Sequence, residues 1–453
     1  MPCRFTGKVF LCQKNGGEKK MKMIFDVEAK PKFGQLVIFA IQQMLAIMAA
    51  TIAVPMIIGN GLTPAAAMFG AGCGTLTYQL FTKFKSPVFL GSSFAFIGSM
   101  LAAFAGGVSM SLGLLGLIIG AIAAGLVYVI IAAIIKVAGV NWLNKLMPPV
   151  VIGPTVAIIG LSLAGNAIGD LMKADVVSAE GAMLGSPYIA LLCGLITLAV
   201  TMLCSTYGKK MARLVPFILG ILAGYAVAAV LTVIGNYAGI DALKVIDFGV
   251  FTSYMFPEGA VTLETFLSLP DFTFVGAIDG ISELNLQYVI TILVAYVPVA
   301  FVVFAEHVAD HKNLSSIIER DLLKEPGLSR TLLGDGVGSM IGAFFGGCPN
   351  TTYGESVGCV AITKNASVRT ITAAAIGSIL VAFITPLVAF VDSIPACVMG
   401  GVCVALYGFI AVSGLKMLQE VDLNKNRNLF TASVILIAGI GGLTITVGKV
   451  TLT

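Results

Sequence analysis

The sequence is short of charge and almost without histidine and tryptophan. Asp, Glu, Lys and Arg make up 11% of its 453 residues, where soluble domains average about 25%, and there are two His and one Trp. With 58% apolar residues, that shortage excludes a water-exposed globule and leaves a polytopic membrane protein. The two histidines, His307 and His311, are badly placed for a catalytic triad or a metal set, so no catalytic group, cofactor or metal site is expected. The nine cysteines are scattered, with no Cys-x-x-Cys pair and most inside apolar stretches. They read as small packing residues, which excludes a disulfide framework and a metal cluster. Residues 1–20 are polar and lack the apolar core of a secretory leader. They are unlike the apolar chain beyond them, and Met21 offers an alternative start, so they are expected to be an upstream extension.

Basic residues are missing from every second connection between apolar stretches. Taking about 20 residues as the length needed to span, segments fall near 35–58, 64–82, 88–104, 109–135, 148–165, 187–207, 214–235, 287–310, 331–347, 353–363, 370–391, 394–415 and 429–447. Lys and Arg gather in residues 1–33 and at Lys83 and Lys85, Lys136 and Lys145, and Lys209, Lys210 and Arg213. They recur at Lys312, Arg320, Lys324 and Arg330, at Lys364 and Arg369, and at Lys416, Lys425 and Arg427. The alternate connections are nearly free of them, and the largest, 236–286, holds seven acids against Lys244. An excess of Lys and Arg marks cytoplasmic loops. The N-terminus and all basic connections are therefore expected in the cytoplasm of a cell membrane protein.

Seven segments precede the acidic loop and six come after it. Because seven is odd, a repeated half is inverted in the membrane, as in many secondary transporters. The expected layout is a cytoplasmic segment 1–33, a first repeat 34–235, an extracytoplasmic loop 236–286 and a second repeat 287–453. The second repeat has no partner for segment seven, and a truncated fourteenth segment is expected. The halves share landmarks: Gly70, Gly72 and Gly74 match Gly334, Gly336 and Gly338, and Pro148 with Gly153 matches Pro395 with Gly400. Small residues at such spacings let helix backbones approach closely.

Two short stretches interrupt apolar segments at matching places, Pro87-Val-Phe-Leu-Gly-Ser-Ser-Phe94 and Pro349-Asn-Thr-Thr-Tyr-Gly-Glu-Ser356. Irregular backbone at membrane depth survives only where protein buries it or where it lines a wet cavity, so the pair marks a midplane binding site. Four acids lie within the spans, Glu306, Asp310, Asp335 and Glu355, and no Lys or Arg accompanies them. Intramembrane carboxylates are functional candidates by default. Glu306 and Asp310 share one helix face, where two like charges repel, a physical basis for proton coupling. Glu355 opens a half-helix whose free N–H groups can meet carbonyl oxygens, and Gly91-Ser-Ser-Phe94 offers the same with an aromatic face. Together these suit a small flat solute with N–H and C=O on its edges, such as a nucleobase. His307 is expected to pack, and His311, beside Lys312, to sit in the headgroup region. Gly354-Glu-Ser-Val-Gly358 matches the Gly-x-Ser-x-Gly of serine hydrolases, but no His lies beyond it.

Leu90-Gly-Ser-Ser-Phe-Ala-Phe96, Ala305-Glu-His-Val308, Asp321-Leu-Leu-Lys-Glu-Pro-Gly-Leu328 and Pro349-Asn-Thr-Thr-Tyr-Gly-Glu355 with Ala361-Ile-Thr363 resemble the nucleobase–cation symporter (nucleobase–ascorbate transporter) family, in its uracil branch. The resemblance covers about residues 32 to 447. It implies an all-α fold of two inverted seven-segment repeats, divided into core and gate domains, with short strands in segments three and ten. It further implies that Glu306 and Glu355 hydrogen-bond the base, that the backbone at Phe94 and Gly354 binds it, and that Tyr353 and Ser93 line the pocket. Proton coupling falls to Asp310, Glu306 or Asp335. The sequence departs from the family's usual residues at Gln43 and Ser356, and from one uracil branch at Asp310, where it resembles many other members. The expected activity is proton-driven uracil import, with a nucleobase, protons, membrane lipid and a second copy of the chain as partners and no nucleic acid. Alternatives are xanthine or another base on the same fold, or an anion exchanger of a related fold, which would want a neutral or basic residue at position 306.

Overall fold

The computed structural model describes residues 23–139, 142, 148–177, 182–209, 211–256, 259–419 and 421–441, with backbone alone at 445–447 and 450–452. The proposed extension 1–20 lies outside the described residues. Helix α1 spans Phe33–Ile58 and α2 Pro64–Phe81; strand β1, Leu90–Ser92, leads through one tight turn into α3, Ile97–Ala103. Then come α4, Met110–Ala138, α5, Pro149–Asp170, α6, Pro187–Tyr207, and α7, Pro216–Ala238. The second half has α8, Leu286–Ile318, and α9, Leu328–Gly346, then β2, Asn350–Thr352, and α10, Gly354–Thr363. It continues with α11, Val368–Val381, a short helix Thr385–Asp392, α12, Ala396–Leu418, and α13, Asn426–Ile440. The last helix ends at Ile440, short of the 447 expected, and a small antiparallel pair, Ile445–Val447 with Val450–Leu452, comes after it.

Local chemistry sets the helix ends. Pro64, Pro149, Pro187 and Pro216 occupy first turns, where a missing N–H leaves no bond unmade. Thr63, Ser109 and Asn285 cap α2, α4 and α8 by accepting from Ala66, Leu112 and Tyr288 N–H at 3.3, 3.1 and 2.9 Å. Among the described residues, seven helices are long and apolar enough to cross a membrane by length and composition. The chain is a multi-pass membrane protein.

Packing divides the helices into two groups. In the first, α2 lies on α9, α4 on α9 and α8, and α11 on α1 and α2; in the second, α5 lies on α12 and α13, and α6 on α7 and α12. Exchanging α1 with α8, α2 with α9, α4 with α11, α5 with α12 and α6 with α13 maps the α4–α9 and α4–α8 contacts onto α2–α11 and α1–α11, which are also present, and leaves the α2–α9 and α5–α12 contacts in place. That is the signature of an inverted repeat, and the fold is of the 7+7 inverted-repeat transporter class.

The paired glycines explain how close the halves come. A Cβ on Gly74 would fall 2.7 Å from Gly338 O, and one on Gly338 would fall 2.8 Å from Gly74 O. In the second group, a Cβ on Gly153 would lie 2.9 Å from Gly414 O, and one on Gly400 would lie 2.8 Å from Leu171 N. Backbone cannot yield as a side-chain tip can, so these helices touch main chain to main chain.

At the end bearing the basic connections, residues 24–29 strap the first group. Ile24 N–H donates to Lys364 O at 2.8 Å, Ala366 N–H to Phe25 O at 2.8 Å and Val368 N–H to Val27 O at 3.0 Å. Ser367 Oγ adds a bond to Ala29 O at 2.8 Å.

Gly338→Ala is expected to destabilise the fold by about 1–3 kcal/mol through overpacking, read as a lower thermal unfolding midpoint in detergent. Gly98→Ala, where a Cβ meets nothing within 4 Å, is the control and leaves the midpoint unchanged or slightly raised.

Candidate functional site

The two sequence breaks meet. β1 pairs antiparallel with β2, with Leu90 opposite Thr352, Gly91 opposite Thr351 and Ser92 opposite Asn350. Two three-residue strands leave many backbone groups unpaired, and their neighbours take these up. Thr75 Oγ1 accepts from Leu90 N–H at 2.9 Å and donates to Leu90 O at 3.2 Å. Ser93 N–H donates to Pro349 O at 2.8 Å, Phe89 N–H to Ser356 Oγ at 3.1 Å and Tyr353 OH to Ser92 O at 2.8 Å. Asn350 Nδ2 reaches Gly70 O at 3.1 Å. At Gly91 a side chain is impossible, because its Cβ would overlap the Tyr353 ring and sit 2.9 Å from Thr51 Oγ1. The crossing therefore brings the N-termini of two half-helices, the turn into α3 and α10, to one region, where their opening N–H groups have no partner within their own helix.

Beside the crossing lies a cavity of about 400 Å³ between the two helix groups. The first group lines it with Ala46 of α1, Phe94, Glu306, Asp310 and Asn313 of α8, and Tyr353, Gly354 and Glu355 at the start of α10; the second contributes Val156, Phe217, Phe409 and Lys416. Arg213 and Lys416, which precede and close helices at basic connections, mark its mouth. Neither Glu306 nor Glu355 has an ion pair among the described residues. Asp310 Oδ2 accepts from Thr352 Oγ1 at 3.0 Å. Gly354 borders the cavity, and a Cβ there would meet only Asp310 Oδ1, at 3.8 Å, so a ligand can approach its backbone closely. Carboxylate acceptors, free N–H donors and the Phe94 ring thus face one space.

The structure separates two sequence-expected residues from that space. Ser93 does not line the cavity: it is fully buried in the turn after β1, its side chain without a hydrogen bond among the described residues. Asp335 is fully buried on α9, turned toward α8, where His307 Nδ1 meets its Oδ2 at 2.7 Å. His307 Nε2 adds Thr331 Oγ1 at 3.0 Å. His311 does not face outward as a headgroup position would require; it is fully buried in the protein, its ring stacked on His307 with centroids 4.0 Å apart and its Nε2 2.6 Å from the Tyr78 hydroxyl. The step of about 100° per helical residue puts Glu306 and His307 on different faces of α8, one toward the cavity and one into the α8–α9 interface.

Gln43 and Ser356, two of the departures from the family pattern, bond to each other, Gln43 Nε2 donating to Ser356 Oγ at 2.5 Å. This contact ties α1 to α10 directly behind Glu355. No sequence signal announces a pair 313 residues apart, nor the roles of Thr75 and Asn350. The serine of the hydrolase-like motif is consumed in this bond.

His307→Ala strands a buried carboxylate and is expected to cost about 1–3 kcal/mol of stability. An unchanged unfolding midpoint would show that the Asp335 contact carries no structural weight.

The model of the Permease family (Xan_ur_permease) matches residues 34–448. The chain is 38% identical to a uracil permease of Bacillus caldolyticus over 424 residues, 93% of this chain and 88% of that one. It is 36% identical to a uracil permease of Bacillus subtilis (strain 168), covering 95% and 91%. Among solved structures, it resembles the transmembrane domain of the cyanobacterial bicarbonate transporter BicA, with TM-score 0.64, 14% identity and coverage of 93% and 98%. That likeness shows the fold alone.

Proposed function

The chain belongs to the Permease family, and from that premise we propose that it is a proton-coupled uracil permease importing the base by alternating access. The observation that supports this reading best is the grouping of Glu306 and Glu355 with Phe94 and Gly354 around one cavity between two helix groups. Uracil presents N–H donors beside C=O acceptors on a flat ring. Its N–H groups suit the two carboxylates, its carbonyls suit the N–H groups that open the half-helices, and its face suits Phe94. Tyr353 completes the wall, and Ser93 supports the turn from behind.

Transport derives from the division into a core, α1–α4 with α8–α11, and a gate, α5–α7 with α12 and α13. We place the repeats at 34–235 and 287–453, with the acidic loop 236–286 outside the cell. The N-terminus is then cytoplasmic, and the cavity mouth at Arg213 and Lys416 faces the cytoplasm, making this an inward-facing state. Sliding the core against the gate carries the base site to the other face. The proton rides on Asp310, the carboxylate that faces the cavity beside Glu306 and is held by Thr352, with Glu306 itself and the buried Asp335 as the other proton-bearing groups. The gate pairs with a second copy of the chain. An anion exchanger on this fold is disfavoured, because three carboxylates front the cavity.

Glu306→Gln and Glu355→Ala are expected to abolish uracil uptake while the protein still inserts. Each removes a bond to a charged group, worth about 1.5–3 kcal/mol or roughly 10- to 150-fold in affinity. Radiolabelled uracil uptake, competed with xanthine and run with and without an uncoupler, reads this directly; normal uptake in both variants would end the assignment. Asp310→Asn is expected to flatten the pH dependence of uptake more than it weakens base binding. Unchanged proton coupling in that variant would move the role to another group.

A further inference from the structure

One polar cluster of the first helix group takes no part in the cavity. His307 of α8 and Asp335 of α9 are fully buried, and neither lines the cavity. The donors and acceptors around them fix where the hydrogens lie. Thr331 Oγ1 gives its hydrogen to Leu328 O at 3.1 Å. Toward His307 Nε2, 3.0 Å away, it can therefore only accept, so Nε2 bears a hydrogen. A neutral ring protonated there has a bare Nδ1, and an ionised Asp335 would then set two acceptors 2.7 Å apart. The pair therefore holds one further proton, either as an acid bonded to an imidazole or as a carboxylate bonded to an imidazolium.

Burial separates the two forms. Among the described residues, no group donates to Asp335 Oδ1 and no Lys or Arg pairs with Asp335. An ion pair would leave Oδ1 charged and unbonded in a closed site, whereas the neutral acid leaves only a carbonyl oxygen there. The titratable groups packed round the pair are Tyr78 of α2, Tyr128 of α4, and Glu306, Asp310 and His311 of α8, none of them a fixed cation. The route out is blocked as well. His311 Nδ1–H donates to the backbone carbonyl of His307 at 2.8 Å, and the Tyr78 hydroxyl lies 2.6 Å from His311 Nε2 and 2.7 Å from Ser86 Oγ. That chain ends on a carbonyl oxygen and not on the His307 ring, so it hands no proton to Asp335.

We infer that Asp335 is a neutral acid whose Oδ2–H donates to His307 Nδ1, and that this proton stays in place while the transported proton comes and goes at the cavity. The inference rests on the proton-coupled reading and narrows it: of the proton-bearing groups, Asp335 is the one that does not exchange. His307 and Asp335 are then positioning residues. Glu306 is one residue and Asp310 three residues from His307 along α8. A bond that pins the His307 face to α9 therefore turns both carboxylates to the cavity at a fixed rotation. Because the pin carries no charge, it holds α8 alike whether Asp310 is protonated or ionised.

The test has two readouts on the purified full chain. In nanodiscs, infrared difference spectra of the unaltered chain against Asp335→Asn are expected to show the carbonyl band of a protonated carboxyl. That band persists at alkaline pH, far above the ordinary aspartate value of about 3.9. Absence of the band, or its loss by neutral pH, overturns the proposal. In proteoliposomes, radiolabelled uracil uptake is followed across a pH series with and without an uncoupler. Asp335→Asn keeps an N–H to give to His307 Nδ1, so, whatever its rate, its pH profile and uncoupler sensitivity are expected to match those of the unaltered chain. A flattened profile or lost uncoupler sensitivity in that variant would show that Asp335 carries the transported proton. Asp335→Leu has no hydrogen to give and is expected to raise the KM for uracil roughly tenfold, the weight of one well-placed bond to a charged group. A KM equal to that of Asp335→Asn overturns the positioning role. The infrared and Asp335→Asn arms decide the proposal even where Asp335→Leu does not fold. If the unaltered chain takes up no uracil, the transport reading falls, and the infrared band alone decides the proton on Asp335.

Discussion

Everything in this structure depends on one constraint, that a polar backbone group in hydrocarbon must find a partner within the protein. Breaking two helices at membrane depth creates many such groups. The chain answers by crossing the two breaks, so that each strand is the other's partner, and by sending side chains from α2 and α10 to what remains. Thr75 serves both backbone groups of Leu90, and Ser356 takes the N–H of Phe89. The N–H groups left over are those that open the half-helices. They open toward the cavity, where a solute can supply an acceptor. Binding site and broken helix are thus one feature.

The same economy governs charge. Intramembrane acids are costly, and α8 sorts its own by face. Glu306 and Asp310 turn to the cavity, where water or solute can reach them, while the next face presents His307 to Asp335 inside the α8–α9 interface. A single turn of helix therefore serves both an open electrostatic surface and a sealed polar contact. Among the described residues, the second helix group brings no acid to the cavity; it brings apolar walls and, at the rim, Arg213 and Lys416.

Much of this is legible in the sequence, for identifiable reasons. Span length reflects bilayer thickness and needs no tertiary knowledge, and the Pro- and Gly-marked breaks stand out because they violate helical continuity. The paired glycines of α2 and α9 are readable as close-approach sites. Side-chain direction is less so. Ser93 and Phe94 are adjacent, and only the path of the turn after β1 decides which one sees the cavity. An acid in a span signals function whether it faces solute or a neighbouring helix, which is why sequence alone does not tell Asp335 from Asp310. His311 looks peripheral because Lys312 is next to it, yet α8 continues to Ile318 and keeps that ring inside. The Gln43–Ser356 bond joins positions 313 residues apart, beyond the reach of any local pattern.

The strap of residues 24–29 has a consequence for the order of assembly. These residues leave the ribosome before any of the spans, yet their hydrogen-bond partners, Lys364, Ala366, Ser367 and Val368, come after α10; the Ser367–Ala29 bond closes a separation of 338 residues. So long a loop is slow to close. Until α10 has been made and placed, the leading segment has nothing to pair with, and the first repeat must wait in the bilayer with that edge undone. The strap is therefore a late closure in biogenesis, one that cannot form until both half-helices of the site exist.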